Sequence, residues 1–142
     1  MSKKAILRGM SAITPLCIGD FPFSFIVGAL SVSAGMSIWQ STAWSTIVIA
    51  GSAQMLALNM LKTGASIGVI IFTTLIINLR HVLYSASLSS QVRDASFFKK
   101  CFMAYALTDE VYATTIKEME QNKKDKYLFY FSAMLTFWVV WV

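Results

Sequence analysis

Charge is what this 142-residue chain has least of. Asp, Glu, Lys and Arg make up 13% of it, and residues 21–61 contain none of them. An ordinary soluble domain carries roughly 25%. So little charge excludes a soluble domain of ordinary surface. Cysteine is nearly as scarce: Cys17 and Cys101 sit in apolar surroundings without a CxxC or Cys/His spacing. A disulfide scaffold and a zinc site are thereby excluded, and both residues read as plain buried thiols. Histidine occurs once, as His81. No Gly-x-Ser-x-Gly, HExxH or Ser-Lys arrangement accompanies it, so a membrane-embedded hydrolase has little support, and the lack of a P-loop leaves no ATP-driven step within this chain. No cofactor, catalytic residue or metal site is expected.

What is present is apolar sequence: 56% hydrophobic residues and a mean hydropathy of +0.62. Apolar segments run at about 9–33, 40–61, 64–90, 101–116 and 127–142, against the ~20 residues that a crossing needs. The expected fold is an all-α, polytopic membrane bundle forming one membrane domain over 1–142. A removed signal peptide does not fit, because Pro15, Asp20 and Pro22 would interrupt its apolar region and apolar sequence continues far beyond any cleavage site. The last segment has no polar flank, so the chain reads as stopping inside its last span.

The net charge of +5 resides mainly in Lys3, Lys4, Arg8, Arg93, Lys99, Lys100 and a cluster at 117–126. These positions suit lipid headgroups rather than nucleic acid. Short-loop basic residues put the N-terminus and the 93–100 loop in the cytoplasm. An even number of crossings must then separate them, yet three apolar segments do, so either one of the three is re-entrant or broken or the charge rule fails at this loop. The first is the expected one, since Thr14-Pro15 and Phe21-Pro22 disfavour helix and Gly19 loosens the stretch between them.

A few polar residues interrupt the segments. Ala43, Ala50, Gln54 and Ala57 share a helical face, a seam that lets another helix approach, with Gln54 either bridging helices or touching substrate. The third segment carries two stripes, Asn78, His81, Ser85 and Ser89 on one side and Arg80, Tyr84, Ser87 and Gln91 roughly opposite. A guanidinium near mid-membrane costs ~3 kcal/mol on insertion scales, so Arg80 needs a partner or a task. The alternative is that Arg80 and Tyr84 snorkel to the interface. In the fourth segment Tyr105, Thr108, Asp109 and Tyr112 share a face that could dock on a positive charge, and Arg80 is the intramembrane candidate. If Asp20, Asp109 and Glu110 all lie in the membrane, three acids meet one base, and at least one acid must be protonated, solvated or balanced by substrate.

Ala50-Gly51-Ser52-Ala53-Gln54, then Asn78-Leu-Arg-His-Val-Leu-Tyr84-Ser-Ala-Ser-Leu88, then Leu107-Thr-Asp-Glu-Val-Tyr112-Ala113 resemble blocks of the AzlC family, the large subunits of bacterial branched-chain amino-acid exporters. Pro15, Gly19, Pro22, Phe23 and Gly28 also resemble its N-terminal pattern, with Ser24 where a small glycine or alanine is usual. The resemblance implies a multi-pass protein of the bacterial cell membrane, a small AzlD-type membrane partner, and export of valine, leucine, isoleucine or close analogues by a secondary transporter. Family members are longer, so it also implies an N-terminal fragment, and a truncated non-transporting or assembly subunit is the alternative function. A zwitterionic substrate needs a cation or helix N-terminus for its carboxylate and an acid for its ammonium. Arg80 or the broken first helix suits the first role, and Asp109 or Asp20 the second. Gln54, Asn78 and Tyr84 would orient the substrate, while Asp20, His81 or Glu110 would relay a proton or charge.

Overall fold

The structure is a computed structural model that describes residues 2–121 and 124–142; Lys123, part of the basic cluster at 117–126, lies outside them. Among the described residues every regular element is helical: α1 (Ser2–Ser33), α2 (Ile38–Ile47), α3 (Gly51–Lys62), α4 (Ile67–Leu88), α5 (Phe97–Tyr105), α6 (Asp109–Gln121) and α7 (Lys126–Trp141). The spans Lys3–Ser33 and Ile67–Leu88 are long and apolar enough to cross a membrane, and in an apolar 18-residue stretch of each only 17% and 6% is buried. A core helix of a soluble protein would be buried instead. Here the apolar side chains, among them Phe25, Phe72 and Leu83, face outward, as lipid requires.

The first helix is not broken. α1 runs through Pro15 and Pro22 without interruption, correcting the expectation that these prolines would divide it. Each proline removes one backbone donor, which costs the helix a single bond to the carbonyl four residues back. α7 lies along α1 and braces it, so closely that a Cβ on Gly9 would strike the Phe129 carbonyl and Ser132.

The second and fourth segments are the broken ones. α2 ends at Ile47 and α3 begins at Gly51, with Val48 extended at ψ 92° and Ala50 outside the helical region at φ −150°, ψ 79°. The run Thr46-Ile47-Val48-Ile49 is β-branched and weakens helix there. α5 ends at Tyr105 and α6 begins at Asp109. The Thr108 hydroxyl accepts from the Val111 N–H at 3.4 Å, and Asp109 and Glu110 occupy the first turn, where acids suit the helix dipole.

Contacts at the two ends of the bundle show how these halves run. At one end Arg8 pairs with Glu118, and Lys126 and Tyr127 hold Asp94 at 3.1 and 2.7 Å. The start of α1, the 89–96 loop, the end of α6 and the start of α7 therefore share that end. At the other end Lys62 donates to Ser33 at 2.8 Å, bringing the end of α3 back to the end of α1. Thus α2–α3 is a hairpin that enters from the far end and returns to it, α5–α6 is a hairpin that does the same from the near end, α1 and α4 run the length between, and α7 runs along α1 from the near end to Trp141, beside Phe23. The tips meet inside the bundle. Tyr105 donates to the Thr46 carbonyl at the end of α2, and the Trp138 indole donates to Tyr105 at 3.2 Å.

Candidate functional site

The second half of each hairpin starts at the meeting point, so the N-termini of α3 and α6 converge there. At 1.5 Å per residue, Gly51 is about 17 Å of helix from the far end and Asp109 about 14 Å from Glu118 at the near end. Between them lies a cavity of about 190 Å³ lined by Asp20, Phe23, Ile49–Ser52, Arg80, Thr108–Glu110, Phe137 and Trp141. Arg80, on α4, is the link: one guanidinium nitrogen donates to Asp109 Oδ2 at 2.5 Å and another to Ser52 Oγ at 3.0 Å. One side chain so joins the tips of both hairpins, as a planar fork of donors can. Asp20 of α1 and Glu110 of α6 bring their carboxyls within hydrogen-bonding reach of each other. Three acids against one guanidinium leave the cavity short of positive charge. Its other walls are apolar, with Phe137 stacked on Trp141 at 6.3 Å and Phe23 against the same indole at 6.2 Å.

Asp20, Arg80, Asp109 and Glu110 thus come together from three helices, while Gln54, Asn78, His81 and Tyr84 do not line the cavity. Gln54 is fully buried. Oriented to satisfy both partners, its amide donates to the Val48 carbonyl at 2.8 Å and accepts from Trp44 Nε1 at 2.6 Å, closing the break between α2 and α3. Ala43 leaves the seam expected with it: it is exposed, whereas Ala50, Ala53 and Ala57 are buried, because the break loses the helical phase. His81 Nδ1 lies 3.2 Å from the Asn78 carbonyl, one turn back on its own helix. Tyr84 stacks on Tyr112 at 4.5 Å, and Ser87 meets the Tyr112 hydroxyl at 2.8 Å. The Arg80, Tyr84 and Ser87 stripe therefore docks α4 on α6. Asp109 and Tyr112 receive it as expected of their shared face, but Tyr105, on the other half of the hairpin, turns to α2. Phe23, Ser52, Phe137 and Trp141 are cavity residues that charge-based reading passes over. Ser52 lay in the small-residue run, and aromatics are too common in spans to stand out.

These features define a class: a helical membrane bundle in which two hairpins enter from opposite ends and meet at a charged cavity. Comparison with known proteins gives the family. The family model described as AzlC protein matches residues 15–142, and the chain belongs to that family. It is 30% identical over 119 residues to the inner membrane protein YgaZ of Escherichia coli, covering 83% of this chain and 49% of that protein. It is 27% identical over 124 residues to an uncharacterized membrane protein of Archaeoglobus fulgidus, covering 87% and 54%. The chain spans about half the length of these curated relatives. No solved structure matches it. Resemblance and family agree, and the protein is a membrane protein.

Proposed function

We propose that this chain forms part of a secondary active exporter of branched-chain amino acids, working in the bacterial cell membrane with a small AzlD-type membrane subunit. The observation that carries this reading is the cavity between the hairpin tips. It combines an excess of carboxylates that an ammonium or a proton would balance, a guanidinium, and an apolar wall of Phe23, Ile49 and Phe137. Broken helices meeting in mid-membrane are how transporters offer backbone dipoles to a substrate. On this reading the near end, with Lys3, Lys4, Arg8, Arg93, Lys99 and Lys100, faces the cytoplasm, and α1 and α4 supply the two crossings that separate the basic N-terminus from the basic loop. Asp20 and Glu110 take the ammonium in one state and a coupling proton in the other. Arg80 holds Asp109 and the two tips in register.

Efflux of labelled valine and leucine from cells expressing the chain with the small subunit tests this. Expression is expected to lower retained label, and Arg80→Ala is expected to abolish the effect. Efflux that is unchanged by both Arg80→Ala and Asp109→Asn would overturn the assignment of the cavity.

A further inference from the structure

The two hairpins share one register. α2 ends at Ile47 and α5 at Tyr105, α3 begins at Gly51 and α6 at Asp109, and each of these pairs is 58 residues apart; the starts of α2 and α5, and of α4 and α7, are 59 apart. Packing repeats with them: α1 meets α3 as α4 meets α6, and α3 lies on α4 as α6 lies on α7. α1 runs from the near end to the far end and α4 runs back, and their hairpins enter from opposite ends, so the second unit is the first turned over. Inverted units of this kind place a site where they meet, near mid-membrane, and here they meet around the central cavity. The two units are unequal between the long helix and the first half of its hairpin. α1 packs on α2, whereas α4 stands off from α5. Val27 and Ser31 of α1 are 1% and 0% exposed. Ser85 and Ser89, in the same register on α4, are exposed and line a second cavity, of about 260 Å³, with Lys100 of α5 and Tyr130 of α7. Leu107 forms part of its wall, and the next residue, Thr108, lines the central cavity.

We propose that the chain is an inverted repeat of two units in a 58-residue register, and that the gap between α4 and α5 is the near-end mouth of the central cavity, open in this structure, while the matching contact of α1 with α2 is its far-end mouth, closed. The two mouths are coupled through the hairpin tips. Tyr105 bonds the end of α5 to the Thr46 carbonyl at the end of α2, so a shift that seats α5 on α4 carries α2 off α1. Two serines and a lysine beside Leu88, Val92 and Met103 admit water and a small amphiphilic solute. This deepens the proposed function and rests on it only for the solute that is carried.

The test is thiol labelling of the 142-residue chain in lipid nanodiscs, where both faces are open to reagent, with Cys17 and Cys101 replaced by alanine and single cysteines at matched positions. Ser85→Cys and Ser89→Cys are expected to react with a small hydrophilic thiosulfonate at least about tenfold faster than Val27→Cys and Ser31→Cys, the ratio set by a far-open state populated below about 10%. Reaction of Ser85→Cys and Ser89→Cys with a lipid-soluble maleimide alone would mean that lipid fills the gap, and would overturn the near-end mouth. Equal reaction at all four positions would overturn the closed far-end mouth. Coupling is read with a wedge. Ser31→Trp overfills the contact of α1 with α2 and is expected to slow labelling of Ser89→Cys, while Ser31→Ala leaves it unchanged. Leu58→Cys, at a fully buried position, reports whether the wedged chain is still folded, and Ser31→Val takes the place of Ser31→Trp if it is not. Labelling of Ser89→Cys that is unchanged or faster in the folded wedge variant would overturn the coupling. These readouts use no solute, so their failure leaves the efflux measurement to judge the transporter reading, and a failure of efflux leaves the repeat and its mouths standing.

Discussion

At the scale of single residues, Arg80 is the keystone because it answers to two hairpins at once. Truncating it leaves the half-buried Asp109 carboxyl without its partner, so Arg80→Ala is expected to destabilise the bundle by about 1–3 kcal/mol. Arg80→Ala combined with Asp109→Asn should recover part of that loss, and thermal unfolding in detergent, run as a double-mutant cycle, reads the coupling. Additive effects would mean that the pair contributes nothing. Asp94 gives a pH-dependent counterpart outside the spans. The Tyr127 hydroxyl and the Lys126 ammonium hold its carboxyl down at about 2, against ~3.9 for a free aspartate. A depressed carboxylate stabilises above its unfolded value and loses that contribution as pH falls through the folded one. The protection of amides in the 89–96 loop, measured against their intrinsic exchange at each pH, should therefore be flat above about pH 4 and fall between about pH 4 and 2, and Asp94→Asn should remove the pH step. The Arg80–Asp109 pairing was legible in the sequence because a charge in an apolar chain has few possible partners. Trp141 was not, since an indole announces nothing until its N–H is found buried without a partner.

Among the helices, the breaks matter more than the spans. Proline marks a place where a helix loses one bond, but α1 has α7 along its side, so it continues. A β-branched run and a Thr-Asp-Glu start mark where α2–α3 and α5–α6 do divide, and these signals are weaker in isolation than proline. The α1–α7 contact is tight enough to test: Gly9→Ala puts a methyl against the Phe129 backbone carbonyl, which cannot swing aside, and should cost about 1–3 kcal/mol in thermal unfolding. Tyr105→Phe removes the bond from one hairpin tip to the Thr46 carbonyl and the acceptor of the Trp138 indole. It should destabilise by about 1–2 kcal/mol and increase amide exchange at residues 46–50. Unchanged exchange there would mean that the tips do not hold each other.

For the whole molecule, the decisive property is that both hairpins return to the end they entered from. With Cys17 and Cys101 replaced by alanine, single cysteines at Ala34→Cys and Thr63→Cys are expected to react with an impermeant maleimide from one side of the membrane, and Ser90→Cys and Gln121→Cys from the other. Opposite-side labelling of Ala34→Cys and Thr63→Cys would make α2–α3 a full crossing. By itself, the sequence determined that this is a helical membrane protein and which polar residues it holds in apolar surroundings. Composition and periodicity suffice for these because lipid demands apolar helices and leaves each intramembrane charge conspicuous. Which segment breaks, that a second one does so from the opposite end, and that Ser52, Trp141 and the start of α3 share a cavity with Arg80 were decided only by tertiary structure. The physical reason is that a break is tolerated where neighbouring helices satisfy the freed backbone groups, and those neighbours are set by contacts far apart in the chain.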